Sequence, residues 1–506
     1  MIHGRDGTRL RPRPGGSSIG AMSLFRTKSI EQSIAETEEP EHQLKRELSA
    51  RDLMVFGVGV IIGTGIFVLT GQEAHQHAGP AIVISFLIAG AVCALAALCY
   101  AEFAATVPVA GSAYTFSYAT LGEFVAWIIG WDLLLELALG AAVVARGWSG
   151  YLQELLELPT QVAGDQAVVD VAAIAIVVLL SFLVIAGTKL SSSVTSVFVL
   201  IKVSVVLFVV VAGLFYVKAA NYRPFIPDAE PAELAKGADQ PLLQAVFGMA
   251  PTAFGVMGIV AAASVVFFSY IGFDVVATTA EETKNPQRDV PRGILGSLII
   301  CTVLYMAVSF VITGMLNYSD DRMNTGAPLA EAFSANGIEW AANLISLGAV
   351  AGMTTTILVL LLGQSRILFA MCRDGLLPRQ LAKVHPKYGT PHRITIITTV
   401  FVAILAGFVP LAELSHLVSI GTLFAFVLVS AGVLILRRTR PDLERAFRVP
   451  AAPLVAGGSI LTCIWLMLNL SLLTWERFAI WMVLGVVIYA AYGRRHARLG
   501  QSSSTL

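Results

Sequence analysis

Five ionisable side chains stand inside long apolar stretches of the sequence: Asp132, Glu136, Arg146, Lys202 and Asp274. A carboxylate in such a setting can pair with a cationic substrate or carry a proton. A lysine can carry a proton or replace a bound sodium ion with its ammonium. The cost of placing any of these groups in an apolar medium implies a role. Two runs nearby carry residues that interrupt helices. Residues 51–75, RDLMVFGVGVIIGTGIFVLTGQEAH, hold Gly57, Gly59, Gly63 and Gly65; the run 251–283 is broken by a polar patch of Ser269, Tyr270, Gly272 and Asp274. A break inside a membrane span frees peptide N–H and C=O groups that hydrocarbon cannot satisfy, so it is tolerated where protein, water or a ligand takes them up. Glycines also allow close helix packing, so Gly63-Thr64-Gly65 taken alone reads either way. Asp274 likewise reads as a bond to a neighbouring helix or freed amide, or as a functional group.

The elements that must position these residues are set by composition. Of 506 residues, 56% are hydrophobic and 13% charged, with a mean hydropathy of +0.75. The apolar residues arrive in runs of about 20, the length that crosses about 30 Å of hydrocarbon as a helix. The chain is expected to be an all-α polytopic membrane protein with spans near 51–75, 80–106, 121–154, 168–187, 193–217, 253–281, 292–315, 338–370, 392–409, 413–436, 452–474 and 477–493. The interrupted runs are the first and sixth. They correspond if 51–217 and 253–436 are two repeats of five spans in inverted orientation, with two further helices in 437–493. Paired interruptions at matching positions point to a central binding site.

The remaining segments are a polar arm, 1–50, with an interfacial helix expected around Leu44–Leu53; an outer loop, 218–252, with a short surface helix; and a tail, 494–506. Most of the 34 lysines and arginines fall on the side of the N-terminus. That bias places both termini in the cytoplasm of an inner or plasma membrane protein. The formal net charge of zero implies no general attraction to nucleic acid. No metal site is read: Cys93, Cys99, Cys301, Cys372 and Cys463 lack ligand spacing and are expected as small buried residues. No GxxxxGK[ST] element is present, so nucleotide hydrolysis is not expected.

The motifs IIGTGIFVLTG at 61–71, AGPA at 78–81, YAEFAATVPVAGSAYTFSYATLGE at 100–123, GWDLLLE at 130–136 and FFSYIGFDVVATTAEETKNPQRDVPRGI at 267–294 resemble the amino acid–polyamine–organocation superfamily. Within it the match is best to the cationic amino acid transporter family and its bacterial relatives, over roughly residues 45–490. The resemblance implies a twelve-helix, 5+5 inverted-repeat fold and alternating access in a prokaryotic inner membrane. It implies no cofactor and no enzymatic step; the partners are an amino acid, protons and lipids.

By that resemblance the amides of Gly63, Thr64 and Gly65 hold the substrate carboxylate, as amides at a helix start favour an anion. Carbonyls near Ile61 and at Phe268, Ser269 and Ile271 receive the α-ammonium. Glu136 faces a cationic side chain, or else is held neutral against another helix. Lys202 couples to protons, or else snorkels or serves as a fixed cation. Phe268 is a gate candidate, with Tyr270 and Asp132 as gate or packing residues. Arg146 departs from the family pattern; it is expected to snorkel or join an outer gate, and inside the pocket it would repel a cationic substrate. The expected activity is proton-driven import of arginine, lysine or ornithine. Exchange or neutral amino acid uptake on the same scaffold, and a non-transporting membrane receptor or subunit, are the alternatives.

Overall fold

The computed structural model describes residues 48–106, 112–164, 167–187, 192–232, 237–277, 279–443 and 445–497. The arm before residue 48, with the start of the interfacial helix expected at Leu44, lies outside the described residues. So does the tail beyond 497.

The chain enters α1 (Ala50–Ile61) through a capping box in which Ser49 and Asp52 each accept from the other's backbone amide, satisfying two donors that a helix start leaves open. The helix therefore begins at Ala50 and runs directly into the first apolar stretch. It stops at Ile61, and the chain resumes as a π-turn, Gly65–Leu69, then α2 (Thr70–Glu73), a second π-turn, Ala74–Ala78, and a 3-10 turn, Gly79–Ala81, before α3 (Ile82–Thr106). The turn at Gly79 is itself helical, so Gly65–Thr106 forms one 42-residue helical stretch where the sequence suggests a clean division between spans.

Next come α4 (Ser112–Thr120), α5 (Glu123–Leu156), α6 (Val171–Ile185) and α7 (Ser192–Gly213). The loop that follows holds a two-residue antiparallel ribbon, β1 (Glu230–Pro231) with β2 (Thr252–Ala253), and the short helix α8 (Leu242–Val246). This ribbon is the departure from an all-helical chain; Pro231 has no amide to extend the ladder. The remaining helices are α9 (Gly255–Val266), α10 (Phe273–Ala277), α11 (Pro286–Met315), α12 (Pro328–Ser334), α13 (Glu339–Arg373), α14 (His392–Phe408), α15 (Leu411–Thr439), α16 (Ala452–Leu468), α17 (Leu472–Ile488) and α18 (Arg494–His496). Among the described residues, 8 helical stretches are long and apolar enough to cross a membrane, and α6, α14 and α16 are shorter apolar helices.

Burial separates the centre from the rim. The most apolar window of α5 is 94% buried, against 22% for the stretch Leu472–His496, so α5 is enclosed by protein and α17 faces outward. Helix α5 packs along α13 and α15, and α11 packs along α3 and α1. Indole donors fix the outer helix to the inner one: Trp127 donates to the Gly485 carbonyl and Trp131 to Trp481, both at 2.9 Å, while Trp481 donates back to Trp131 at 3.2 Å. All five cysteines are buried.

At the arginine-rich end, Glu102 of α3 is 2% exposed and accepts from Arg437 Nε at 2.9 Å and from the Val449 amide at 2.7 Å. Arg445 stands 3.5 Å away. One carboxylate thereby ties α3 to the end of α15 and to the loop leading into α16. Removing it leaves the Val449 amide without this acceptor and Arg437 with its bond to the Val449 carbonyl at 3.0 Å but without its carboxylate. Glu102→Ala is expected to cost about 2 kcal/mol, reduced from the fully buried case because Arg437 is partly exposed. The measurement is thermal unfolding of purified protein in detergent, in which Glu102→Ala should melt several degrees below wild type; an unchanged transition would contradict this assignment.

Candidate substrate site

The two interrupted helices meet at their breaks. At the first, Ile62 closes α1 by donating to Val58 at 3.0 Å and then turns extended, at φ −70 and ψ 102. Gly63 lies outside any helix, and Thr64 opens the π-turn. At the second, the 3-10 turn Phe267–Tyr270 ends in Ile271, extended at ψ 137, and Gly272 at φ 117. A Cβ on Gly272 would be strained by that φ and would lie 2.6 Å from Val60. A Cβ on Gly65 would lie 2.5 Å from the Cα of Ser269. Glycine at these two positions is what allows the breaks to touch.

The freed carbonyls have specific partners. Lys202 of α7, fully buried, donates to the carbonyls of Gly59 at 2.7 Å and Ile62 at 3.2 Å and to Thr356 Oγ1 of α13 at 2.7 Å. Three acceptors meet the three donors of an ammonium, so the side chain is anchored at the break and does not snorkel. The Tyr305 hydroxyl of α11 lies 2.8 Å from the Ile61 carbonyl and 2.6 Å from the Ser269 carbonyl. A phenol has one proton, so it serves these two acceptors one at a time. The Phe268 carbonyl accepts from the Ile271 amide at 3.1 Å. Ser269 Oγ is buried without a hydrogen-bond partner among the described residues.

The wall opposite the first break comes from α5 and α13. A Cβ on Gly63 would meet Thr356 at 3.5 Å and Val144 at 3.8 Å. Thr64 Oγ1 donates to Met353 Sδ at 3.4 Å, and Gly147 lets Thr64 approach α5. Along α5 the break is thus level with Val144 and Gly147, whereas Glu136 lies eight residues, about 12 Å, further along the helix. Glu136 is 2% exposed; it sits beside Thr422 of α15 and within electrostatic reach of Asp132 and Asp274, and its Oε1 has no partner among the described residues. Asp132 is fully buried against Gly421, with neither carboxylate oxygen hydrogen-bonded among the described residues.

The other candidates make contacts of their own around the breaks. Asp274 accepts from the freed Gly272 amide at 3.2 Å. Tyr270 is buried and donates to the Phe86 carbonyl at 2.7 Å, while Phe268 is 6% exposed beside the break. Arg146 is 3% exposed and donates to the carbonyls of Ala406 at 2.9 Å and Gly407 at 3.2 Å. Its guanidinium meets carbonyls of the last turn of α14, that of Gly407 being shared with the Asp170 amide at 2.9 Å, and it neither reaches the outer surface nor points into the break. Sequence reasoning missed Tyr305, Thr356, Met353 and Val144. The polar run Thr354-Thr355-Thr356 inside an apolar span was a signal for the second of these; Tyr305, Val144 and Met353 carry no local signal.

A family model described as amino acid permease matches residues 48–489. The branched-chain amino acid permease BcaP of Bacillus subtilis (strain 168) is 45% identical over 491 residues, covering 95% of this chain and 99% of that protein. The methylthioribose transporter of the same organism is 43% identical over 489 residues, covering 95% and 100%. The vacuolar cationic amino acid transporter 4 of Arabidopsis thaliana is 40% identical over 429 residues, covering 83% and 68%. Paired helix breaks at the centre of a polytopic helical protein and a family match across nearly its whole described length lead to one conclusion: the chain belongs to the amino acid permease family of the amino acid–polyamine–organocation superfamily.

Proposed function

We propose that this permease imports L-amino acids by alternating access, with twelve spans in a 5+5 inverted repeat plus two helices, both termini cytoplasmic, in a bacterial inner membrane. The observation that carries the reading is the convergence of the Ile61 and Ser269 carbonyls on one phenol proton of Tyr305. An ammonium brings three donors and can serve both carbonyls together. The amides of Gly63, Thr64 and Gly65, at the start of the resumed helix, supply the complementary anion site for a carboxylate. The two ends of an amino acid backbone are then read by backbone. Ile271 and Phe268 complete the ammonium side, with Phe268 as the gate.

The side-chain end favours a neutral, apolar substrate. On the α5 and α13 side the first break faces Val144, Met353 and Thr356, Glu136 is two helical turns away, and Arg146 is engaged elsewhere. Two relatives are named as branched-chain amino acid permeases, at 45% and 36% identity. Cationic uptake is the second reading, favoured by the Oε1 of buried Glu136, which has no hydrogen-bond partner among the described residues, and by relatives named as cationic amino acid transporters.

Proteoliposomes loaded with the protein and offered labelled leucine, isoleucine, valine, arginine, lysine and methylthioribose should show saturable leucine uptake that excess arginine competes poorly. Saturable arginine uptake that Glu136→Gln removes selectively would establish the cationic reading instead. Absence of saturable flux for every amino acid would overturn transport of this class. Gly65→Ala should leave the protein folded by size-exclusion chromatography, yet weaken leucine binding by roughly tenfold or more, about 1.4 kcal/mol or above, because the new methyl group drives the two breaks apart. Wild-type affinity would show that the breaks need not touch.

Lys202 is proposed as the proton-coupling residue. Its ammonium joins α7 to both α1 and α13 through hydrogen bonds that depend on its protons. Coupling requires that its proton affinity differ between outward-open and inward-open states. In Lys202→Ala an imposed inward proton gradient should no longer stimulate uptake, giving a ratio of about 1 with and without the gradient. Stimulation equal to wild type would remove Lys202 from the coupling step.

A further inference from the structure

The foot of α11 carries a feature that the substrate site does not use. A cavity of about 570 Å³ opens there between the first turns of the helix, with Arg288, Pro291, Arg292 and Leu295, and the loop residues Ala446 and Phe447. Arg292 is exposed and has no hydrogen-bond or ion-pair partner among the described residues. The Arg288 side chain is 68% exposed and only 4.0 Å from Asp289 at its nearest. The far wall is fixed, because Glu102 holds Arg445 and the Val449 amide on either side of Phe447. Two guanidiniums with spare donors in one cavity suit a phosphate, which they can grip through paired N–H groups.

What lies above the cavity identifies the source of that phosphate. Arg292, Leu295, Ile299 and Val303 follow one another at intervals of three and four residues, so they share one face of α11. Ile299 is 64% exposed and Val303 61%, an outward apolar stripe rising directly from the basic cavity. From Arg292 to Val303 the rise is about 16 Å, half of a hydrocarbon core of about 30 Å. This matches one leaflet: a charged head at the bottom and one acyl chain along the helix. A free phosphate would make no use of the stripe.

We propose that this cavity binds the headgroup of an anionic phospholipid, with one acyl chain lying along Leu295, Ile299 and Val303. The lipid joins α11, the helix that carries Tyr305, to the loop leading from α15. Basic residues at the membrane edge attract anionic headgroups in general; here the cavity and the stripe make the contact specific to one site.

The test is native mass spectrometry of the full-length protein in uncharged detergent, titrated with phosphatidylglycerol or phosphatidylcholine. Wild type should retain one phosphatidylglycerol, and the Arg288→Gln, Arg292→Gln double variant should bind it at least tenfold more weakly, with no corresponding difference for phosphatidylcholine. Arg495→Gln, which removes an exposed charge on another helix, should bind as wild type does. Equal retention by the double variant would overturn the proposal, as would an equal loss in Arg495→Gln, which would indicate charge alone. Displacement of the lipid by millimolar inorganic phosphate would overturn it in favour of a free-anion site. The readout is binding, so its outcome is independent of which amino acid is transported.

Discussion

Every peptide group that leaves a helix inside this bundle must find a partner within the protein or its ligand, because hydrocarbon supplies none. The architecture around residues 61–65 and 268–272 follows from that constraint. The Gly59 and Ile62 carbonyls are taken by Lys202, and Thr356 is bonded to the same ammonium. The Ile61 and Ser269 carbonyls turn to Tyr305, and the Gly272 amide finds Asp274. These partners come from α7, α13, α11 and α10. The breaks therefore organise helices from both halves of the chain around themselves, and close contact between Gly65 and Ser269 keeps the two sets of freed groups facing one space.

The same bonds define what has to change if the bundle rocks between two states. Lys202 links α1 to α7 and α13, and Tyr305 links α1 to the turn after α9. Neither link is an ion pair. Each relies on neutral carbonyl or hydroxyl acceptors, so the strength of the Lys202 link depends on the ammonium itself, while the Tyr305 link can be replaced by a substrate ammonium. In the proposed cycle, substrate and proton thereby act on the same broken helix from opposite sides. Their differential affinity for its two positions is the only means by which either shifts the equilibrium.

Much of this was legible in the sequence, and the limits have a physical origin. The glycines of 57–65 and the polar patch at 269–274 announce breaks because helix interruption is a local property. Apolar runs announce helices for the same reason, although the division between the first and second runs disappears where the turn at Gly79 is helical. Partners across the bundle are a different matter. Tyr305 and Ile61 are 244 residues apart, and Arg146 meets carbonyls 260 and 261 residues away. An arginine in an apolar run looks like a gate or a snorkelling charge; only the fold reveals the last-turn carbonyls of α14 beside it. Glu136 shows the converse. Its depth in the span is readable, but its height relative to the first break depends on how α5 packs against residues 63 and 64. That packing shifts the proposed substrate from cationic towards apolar side chains.

The central claim is that backbone groups at the two breaks bind the two charged ends of an amino acid. The most direct measurement is competition against labelled leucine by leucine, leucinamide and N-acetylleucine, which keep the side chain and alter one end each. Unmodified leucine should compete fully, and each analogue should lose most of its affinity: leucinamide because the amides at 63–65 no longer meet a carboxylate, N-acetylleucine because the Ile61 and Ser269 carbonyls no longer meet an ammonium. Competition by either analogue as strong as that of leucine would contradict the account.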